Sequence, residues 1–351
     1  MRLVVLPGDG VGPEVVACGL EVLRAAERRF GFTCDIATYP IGGAALRLGK
    51  PALPRETLDA ALGSDAVLLG AVGDPAFDHL PRAERLETGL LELRKSLQVY
   101  ANLRPARAWD ALGQVVPFKP ERISGTDVLI VRELLGGLYF GEPRGLAADG
   151  SYGLNTLRYT PVEVERVTRV AFELARKRRR KVTSVDKANV LESSQLWRAT
   201  VSRVAAEYPD VTLEHQYVDA CAMNLALDPR RFDVIVTENL FGDILSDEAG
   251  AFAGSLGMLP SASLGAGPGL YEPVHGSAPT LAGKDAANPI GTIASVALLL
   301  RHSAGREEAA AAIEAAIAAA LDDGCRTPDI AAPGETVLTC SAMGRAIAER
   351  V

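Results

Sequence analysis

Leu3-Val4-Val5-Leu6-Pro7-Gly8-Asp9-Gly10-Val11-Gly12-Pro13-Glu14 opens the chain, and its reading decides the fold class. The four apolar residues make a short strand and the glycines a tight loop. Val15–Arg28 then shows the apolar spacing of an amphipathic helix. Such a loop invites a dinucleotide reading. Its spacing is G-x-G-x-G-P, however, without the third glycine of the Rossmann fingerprint, and no acidic residue closes a second strand about 20 residues on. A turn that simply lets a strand meet a helix is the alternative. Similar apolar runs at Ala66–Leu69, Asp127–Val131, Val182–Val185 and Val234–Thr237 alternate with helical patterns at Thr57–Leu62, Pro161–Lys177, Glu192–Tyr208 and Glu307–Leu321. This alternation predicts an α/β fold with a mostly parallel central sheet. The Gly- and aromatic-rich segment 141–159 interrupts it and reads as a hairpin or arm, suited to a dimer contact.

With 351 residues, 48% of them hydrophobic, the chain can bury a sizeable core in two domains or one large one. Its net charge of −7 argues against nucleic acid as the main partner, so an anionic ligand needs a local arginine cluster. The basic run Arg176–Lys181 fits a helix end, where cations favour the macrodipole, better than a nucleic-acid patch. Five scattered cysteines without a CxxC pair suggest neither a disulfide framework nor a zinc site, and fit a reducing cytosol. The N-terminus carries no signal-peptide pattern and no apolar run is long enough to span a membrane. The expected protein is soluble and cytoplasmic, with no membrane partner.

The densest chemistry lies in Asn239-Leu240-Phe241-Gly242-Asp243-Ile244-Leu245-Ser246-Asp247-Glu248-Ala249. Asp243 and Asp247 share one helical face, their Cβ atoms about 5–6 Å apart. Carboxylates that close repel unless a cation lies between them, and oxygen-only ligands suit Mg²⁺ or Mn²⁺ better than zinc. Acidic residues in a helix's first turn are the plainer explanation. Asp219 either completes a three-carboxylate cage or caps the helix that follows it. Arg94, Arg104 and Arg132 are candidates for a dicarboxylate, since a guanidinium grips a carboxylate with two prongs. Surface ion pairing is the alternative for each. Lys187, just past a strand, can act as a base beside a metal and other cations, or be a solvated strand end. Tyr139 lies between glycines as a reactive phenol or a packed arm residue. The loop Glu272-Pro273-Val274-His275-Gly276-Ser277-Ala278-Pro279, with Asn288-Pro289, has backbone donors that can cradle a pyrophosphate.

Four runs in this order, VRELLGGLYFGEPRG, SVDKANVLE, NLFGDILSDEA and EPVHGSAP, resemble the isocitrate/isopropylmalate dehydrogenase family of β-decarboxylating dehydrogenases. The resemblance extends from Met1 to about Arg301. It implies the family's own two-domain α/β fold, not a Rossmann fold. An outer cofactor-binding domain would combine residues 1–98 and 253–351. Residues 99–252 would form the dimerisation, substrate and metal domain, with 141–159 as an intersubunit arm. Arg94, Arg104 and Arg132 would hold the malate carboxylates, and Asp219, Asp243 and Asp247 a Mg²⁺ or Mn²⁺ ion against the substrate. Lys187 would take the hydroxyl proton, and Tyr139 would protonate the enol left by decarboxylation. Glu272, His275, Gly276, Ser277, Ala278, Thr280 and Asn288 would line the NAD site. Lys187 and Asp219 would cross into the neighbour's site in a homodimer.

Within the family, substrate choice turns on Glu87-Thr88-Gly89-Leu90-Leu91. Isocitrate-using relatives place a small hydroxyl residue there for a third carboxylate. Leu90 and Leu91 instead favour a branched alkyl group, by about 1–3 kcal/mol if it is buried. The expected reaction is oxidative decarboxylation of 3-isopropylmalate to 4-methyl-2-oxopentanoate with NAD reduction, a leucine-biosynthetic step. Another alkylmalate, D-malate, tartrate or homoisocitrate is the alternative, and a non-catalytic regulatory subunit a more remote one. Two positions depart from the family. Thr280 stands where NAD-using relatives carry an aspartate that excludes a 2′-phosphate, so NAD preference is expected with weakened discrimination against NADP. Asp74 stands where relatives often carry glycine.

Overall fold

The computed structural model describes residues 1–81 and 84–351. In chain order its strands are β1 (Arg2–Gly8), β2 (Asp35–Thr38), β3 (Ala66–Ala71), β4 (Ala101–Arg107), β5 (Asp127–Glu133), β6 (Gly145–Leu146) and β7 (Gly153–Leu154). There follow β8 (Lys181–Asp186), β9 (Thr212–Tyr217), β10 (Val234–Thr237), β11 (Pro260–Leu264) and β12 (Gly269–Pro273). The chain divides into two compact units, Met1–Val99 with Trp109–Pro120 and Gly250–Val351, and Tyr100–Ala108 with Glu121–Ala249. The excursion Trp109–Pro120 groups with the first unit.

In the first unit the strand order is β2-β1-β3-β12-β11, parallel except for the β11–β12 pair. Every residue of β3 is buried, so Ala-Val-Leu-Leu-Gly-Ala reads as an unbroken apolar run rather than an alternating one. The helix Gly12–Phe30 packs on β1 and β3, and the helix Ile290–His302 on β11 and β12. The glycine turn between β1 and its helix is needed for backbone contact. A Cβ on Gly8 (φ +70°) would lie 1.9 Å from the Ala71 carbonyl oxygen, and one on Gly10 (φ +58°) equally close to that of Ser277. Buried Asp9 then ties three segments together. Its carboxylate accepts from the backbone N–H of Gly43 (2.9 Å), Ala44 (2.8 Å) and Gly73 (3.0 Å). Asp74 has a local use: it accepts from Ala76 N at 3.0 Å, capping a short turn, and pairs with Arg47.

The second unit orders its strands β4-β5-β10-β8-β9, parallel except for β4–β5. Its helix Pro161–Arg176 starts with a capping box between Thr160 and Glu163 and packs on β5 and β10. The segment expected as an arm carries the small hairpin β6–β7, with Leu146 and Tyr152 well exposed. Among the described residues no helix is long and apolar enough to cross a membrane, and all five cysteines are free.

Four residues of the basic run at the end of Pro161–Arg176, namely Arg176, Arg178, Arg179 and Lys181, form ion pairs near the sheet's end. Arg176 pairs with Asp210, Lys181 with Glu214, and Arg178 with both Asp127 and the buried Asp233. Asp233 also accepts from the backbone of Arg179 at 2.8 Å, so it is not orphaned when one partner is lost. Arg178→Ala is therefore expected to cost about 1.5–3 kcal/mol, the range for a hydrogen bond to a charged group. A urea-unfolding curve that shifts its midpoint without changing slope would show this, and an unmoved midpoint would contradict it.

Candidate active site

Sheet register sets the first layer of the site. Asn102 on β4 lies opposite Arg132 on β5, and Arg104 is two residues from Asn102. Directly paired residues and those two apart share a sheet face, so both guanidinium groups emerge on the same side. Arg104 Nε donates to Asn102 Oδ1 at 2.7 Å, locking its plane. Arg132 lies within β5, not after it as the sequence suggested, and its side chain is only 2% exposed.

The helix Asn239–Ala253 closes over these arginines. Gly242 permits the approach: a Cβ there would meet Arg132 Cγ at 2.7 Å. One turn of helix then presents Asp243 and Asp247 to the guanidinium groups. Arg132 Nη1 pairs with Asp243 Oδ1, and Arg104 Nη1 lies 3.3 Å from Asp243 Oδ1 and 3.6 Å from Asp247 Oδ1. Arg104 Nη1 also donates to Ser246 Oγ at 2.6 Å. Tyr139 Oη donates to the other Asp243 oxygen at 2.7 Å, and the Arg132 guanidinium lies 5.4 Å from its ring centre. Burial, followed by the hydrogen bond to Asp243, pushes the Tyr139 phenol above its ordinary pKa, so it is held protonated. Burial likewise raises Asp247; Arg104 opposes this and the charge of Asp243 adds to it.

A second cluster in the same unit holds Lys187 and Asp219. Lys187 Nζ donates to Asp219 Oδ1 at 2.7 Å and lies 5.9 Å from the Tyr217 ring centre. The Lys187 hydrogen bond holds the Asp219 carboxyl below its usual range. The turn carrying Lys187 is fixed from beneath. Buried Asp186 accepts from Arg198 Nε and Nη2, both at 2.9 Å, and from Ala188 N at 2.9 Å. Asp219 sits in the first turn of Val218–Leu227, whose N-cap is Tyr217, so it is not the capping residue. Among the described residues, the oxygens of Asp219, Asp243 and Asp247 do not come together within one chain.

The first unit carries the remaining candidates. Glu87, Leu90, Leu91 and Arg94 fall at i, i+3, i+4 and i+7 of the helix Leu86–Ser96, which puts them on one face. Arg94 Nη2 donates to Glu272 Oε1 at 2.7 Å, a largely buried pair. In the loop after β12, Ser277 O accepts from Val11 N at 2.8 Å, seating the loop on the glycine turn. Gly276 is open on its Cβ side, and Thr280 is exposed. Asn288 is spent inside the fold: Oδ1 accepts from Ile290 N at 3.0 Å and Nδ2 donates to Asp329 at 3.1 Å. Asp285, which sequence reading passed over, fastens the loop's far end. It accepts from Ser341 N and Oγ at 2.7 Å, and its carbonyl from Cys340 N at 2.8 Å.

For a divalent cation, Asp243 and Asp247 offer hard oxygen donors, and one cationic nitrogen of Arg104 is already shared between them, marking where positive charge is accommodated. For a dinucleotide, the loop offers His275 Nε2, a buried polar atom without a hydrogen-bond partner among the described residues, beside the open Gly276. Both sets of residues suit the group.

The chain matches the family described as isocitrate/isopropylmalate dehydrogenase over residues 2–347. It is 56% identical to 3-isopropylmalate dehydrogenase of Gloeobacter violaceus over 347 residues, covering 98% of this chain and 96% of that one. To the enzyme of that name from Moorella thermoacetica it is 53% identical, covering 99% and 98%. The crystal structure of isocitrate dehydrogenase from Methylococcus capsulatus superposes with a TM-score of 0.88 at 35% identity, covering 99% and 98%. The apo β-decarboxylating dehydrogenase of Thermococcus kodakarensis gives 0.80 at 36% identity, covering 99% and 95%. With its arginine-flanked carboxylate helix, mostly parallel α/β units and full-length similarity, the chain belongs to the isocitrate/isopropylmalate dehydrogenase family.

Proposed function

We propose that this protein catalyses the NAD-dependent oxidative decarboxylation of 3-isopropylmalate to 4-methyl-2-oxopentanoate, a step of leucine biosynthesis in the cytoplasm. The observation that carries the reading is the helix face on which Leu90 and Leu91 stand between Glu87 and Arg94. It offers methyl groups where a tricarboxylate needs a hydrogen-bond donor, and a third carboxylate placed there would be desolvated without a partner. The names of the full-length relatives point the same way.

In this reading Arg94, Arg104 and Arg132 bind the substrate carboxylates through charge-assisted hydrogen bonds. Lys187 takes the proton of the C2 hydroxyl as the C2 hydride leaves, which yields a β-keto acid. Loss of CO₂ from that acid leaves an enol, and Tyr139 gives its phenolic proton to C3. The raised pKa of Tyr139 keeps that proton available near neutral pH. Asp243, Asp247 and Asp219 would hold a divalent cation, which would supply electrostatic stabilisation of the oxyanion formed during the reaction. His275, Gly276, Ser277, Ala278 and Thr280 would hold NAD, which would supply the hydride acceptor, while Glu272 and Asn288 would shape the loop from within through Arg94, Ile290 and Asp329. Exposed Thr280 keeps a hydroxyl for the adenosine ribose but brings no charge against a 2′-phosphate, so NAD is favoured with a reduced margin over NADP.

The functional unit in this proposal is a homodimer. The Lys187–Asp219 pair stands apart from Asp243 and Asp247 within one chain. In the proposed arrangement it serves the site of a second copy.

The reaction is tested by initial rates of NADH formation with 3-isopropylmalate, isocitrate and D-malate in the presence of Mg²⁺, and with NADP in place of NAD. Turnover is expected on 3-isopropylmalate with NAD, and preference for isocitrate would overturn the reading of Leu90 and Leu91. The shared site is tested by mixing two inactive variants, Lys187→Ala and Asp247→Asn, after subunit exchange. If Lys187 acts in the partner's site, mixed dimers contain one intact site of two, and about a quarter of wild-type activity returns in a statistical mixture. No recovery would place both residues in the same chain's site.

A further inference from the structure

Asn239 is fully buried at the start of the helix that carries Asp243 and Asp247. A side-chain amide accepts and donates at once, and in a low-dielectric interior each unmet group is costly. Here the groups go to separate parts of the site. Oδ1 accepts from Arg132 Nε at 3.0 Å and Nη2 at 2.6 Å, while Nδ2 donates to the Gly136 carbonyl at 3.1 Å. The backbone N–H donates to Tyr159 Oη at 3.0 Å, and that phenol reaches Glu238 Oε2 at 3.4 Å. Asn239 does not act as an ordinary helix cap. That work falls to Glu238, whose Oε1 accepts from Phe241 N at 2.8 Å.

We propose that Asn239 is a positioning residue that sets the plane of the Arg132 guanidinium and the register of the turn carrying Tyr139. A guanidinium is planar, so holding its Nε–Nη2 edge fixes where the remaining Nη1 points, here at Asp243. Gly136 leads directly into the turn Gly137–Tyr139, so the same amide anchors the phenol's backbone. One buried side chain thereby aligns carboxylate recognition with proton delivery. The inference rests on the reaction proposed above.

A double-mutant cycle of Asn239→Ser and Arg132→Lys tests it, because lysine has no Nε–Nη2 edge to hold. In the wild-type background Asn239→Ser is expected to raise KM for 3-isopropylmalate about tenfold or more through Arg132 and to lower kcat through the Tyr139 turn, with KM for NAD unmoved. In the Arg132→Lys background the same change is expected to raise KM less than about twofold while kcat still falls. Equal KM increases in both backgrounds would overturn the proposal and leave Asn239 a merely structural residue. If Asn239→Ser does not fold, Asn239→Asp replaces it. That variant keeps the acceptor for Arg132 and loses the donor to Gly136, so kcat should fall while KM holds, and the reverse pattern would count against the proposal. A wild-type protein inactive on 3-isopropylmalate would remove the reaction rather than the positioning. The cycle is then read on Mn²⁺ affinity by electron paramagnetic resonance. Arg132 shares Asp243 with the proposed cation, so non-additivity is again expected, and additivity would overturn the role.

Discussion

A permanently charged guanidinium buried in a sheet must be neutralised and hydrogen-bonded where it lies, and Arg132 imposes that demand on the second unit. Asp243 supplies the charge and Asn239 the acceptor on the opposite edge. Meeting both requires the helix Asn239–Ala253 to begin directly above β5, which in turn requires glycine at position 242. The Tyr139 turn is drawn in because its phenol donates to the same carboxylate. A charge that would destabilise an ordinary core becomes the point from which Asp243, Asn239 and the Tyr139 turn take their positions.

The protein's overall charge is −7, yet the faces expected to bind an anion are lined with arginines. Those arginines are not idle surface cations. Arg104 touches Asn102, Ser246, Asp243 and Asp247, and Arg94 is paired with Glu272. Their planes are set before any ligand arrives, which lowers the ordering cost of binding. The first unit uses the same economy for its loops. Asp9 gathers three backbone segments, and Asp285 clamps the loop after β12 to the last helix.

Much of this was legible in the sequence where local chemistry matched local structure. The strand Val234–Thr237 and the glycine turn after β1 follow from hydrophobic runs and breakers. The i,i+4 spacing of Asp243 and Asp247 follows from helix geometry alone. What escaped was set by tertiary context. Strand β4 carries Pro105, which removes a backbone donor mid-strand, and so Arg104 was placed without its sheet. Strands β11 and β12 lie among glycines, prolines and serines that interrupt any strand pattern, and the helix Ile290–His302 is apolar nearly all round, so it shows no amphipathic period. Asn239 and Tyr159 gave no signal because a buried amide or phenol looks like any other until its partners are known. Asp285 and Asp74 were opaque for the same reason, since each is defined by a contact with a segment distant in sequence.

The most direct test of the account is the position of bound Mn²⁺ in crystals grown with 3-isopropylmalate, located by its anomalous scattering. One ion is expected, coordinated by Asp243 and Asp247 of one copy and Asp219 of a second. A substrate carboxylate is expected on Arg104 and Arg132, with Asn239 still holding the Arg132 edge. An ion bound elsewhere, or held with Asp219 from the same copy, would contradict it.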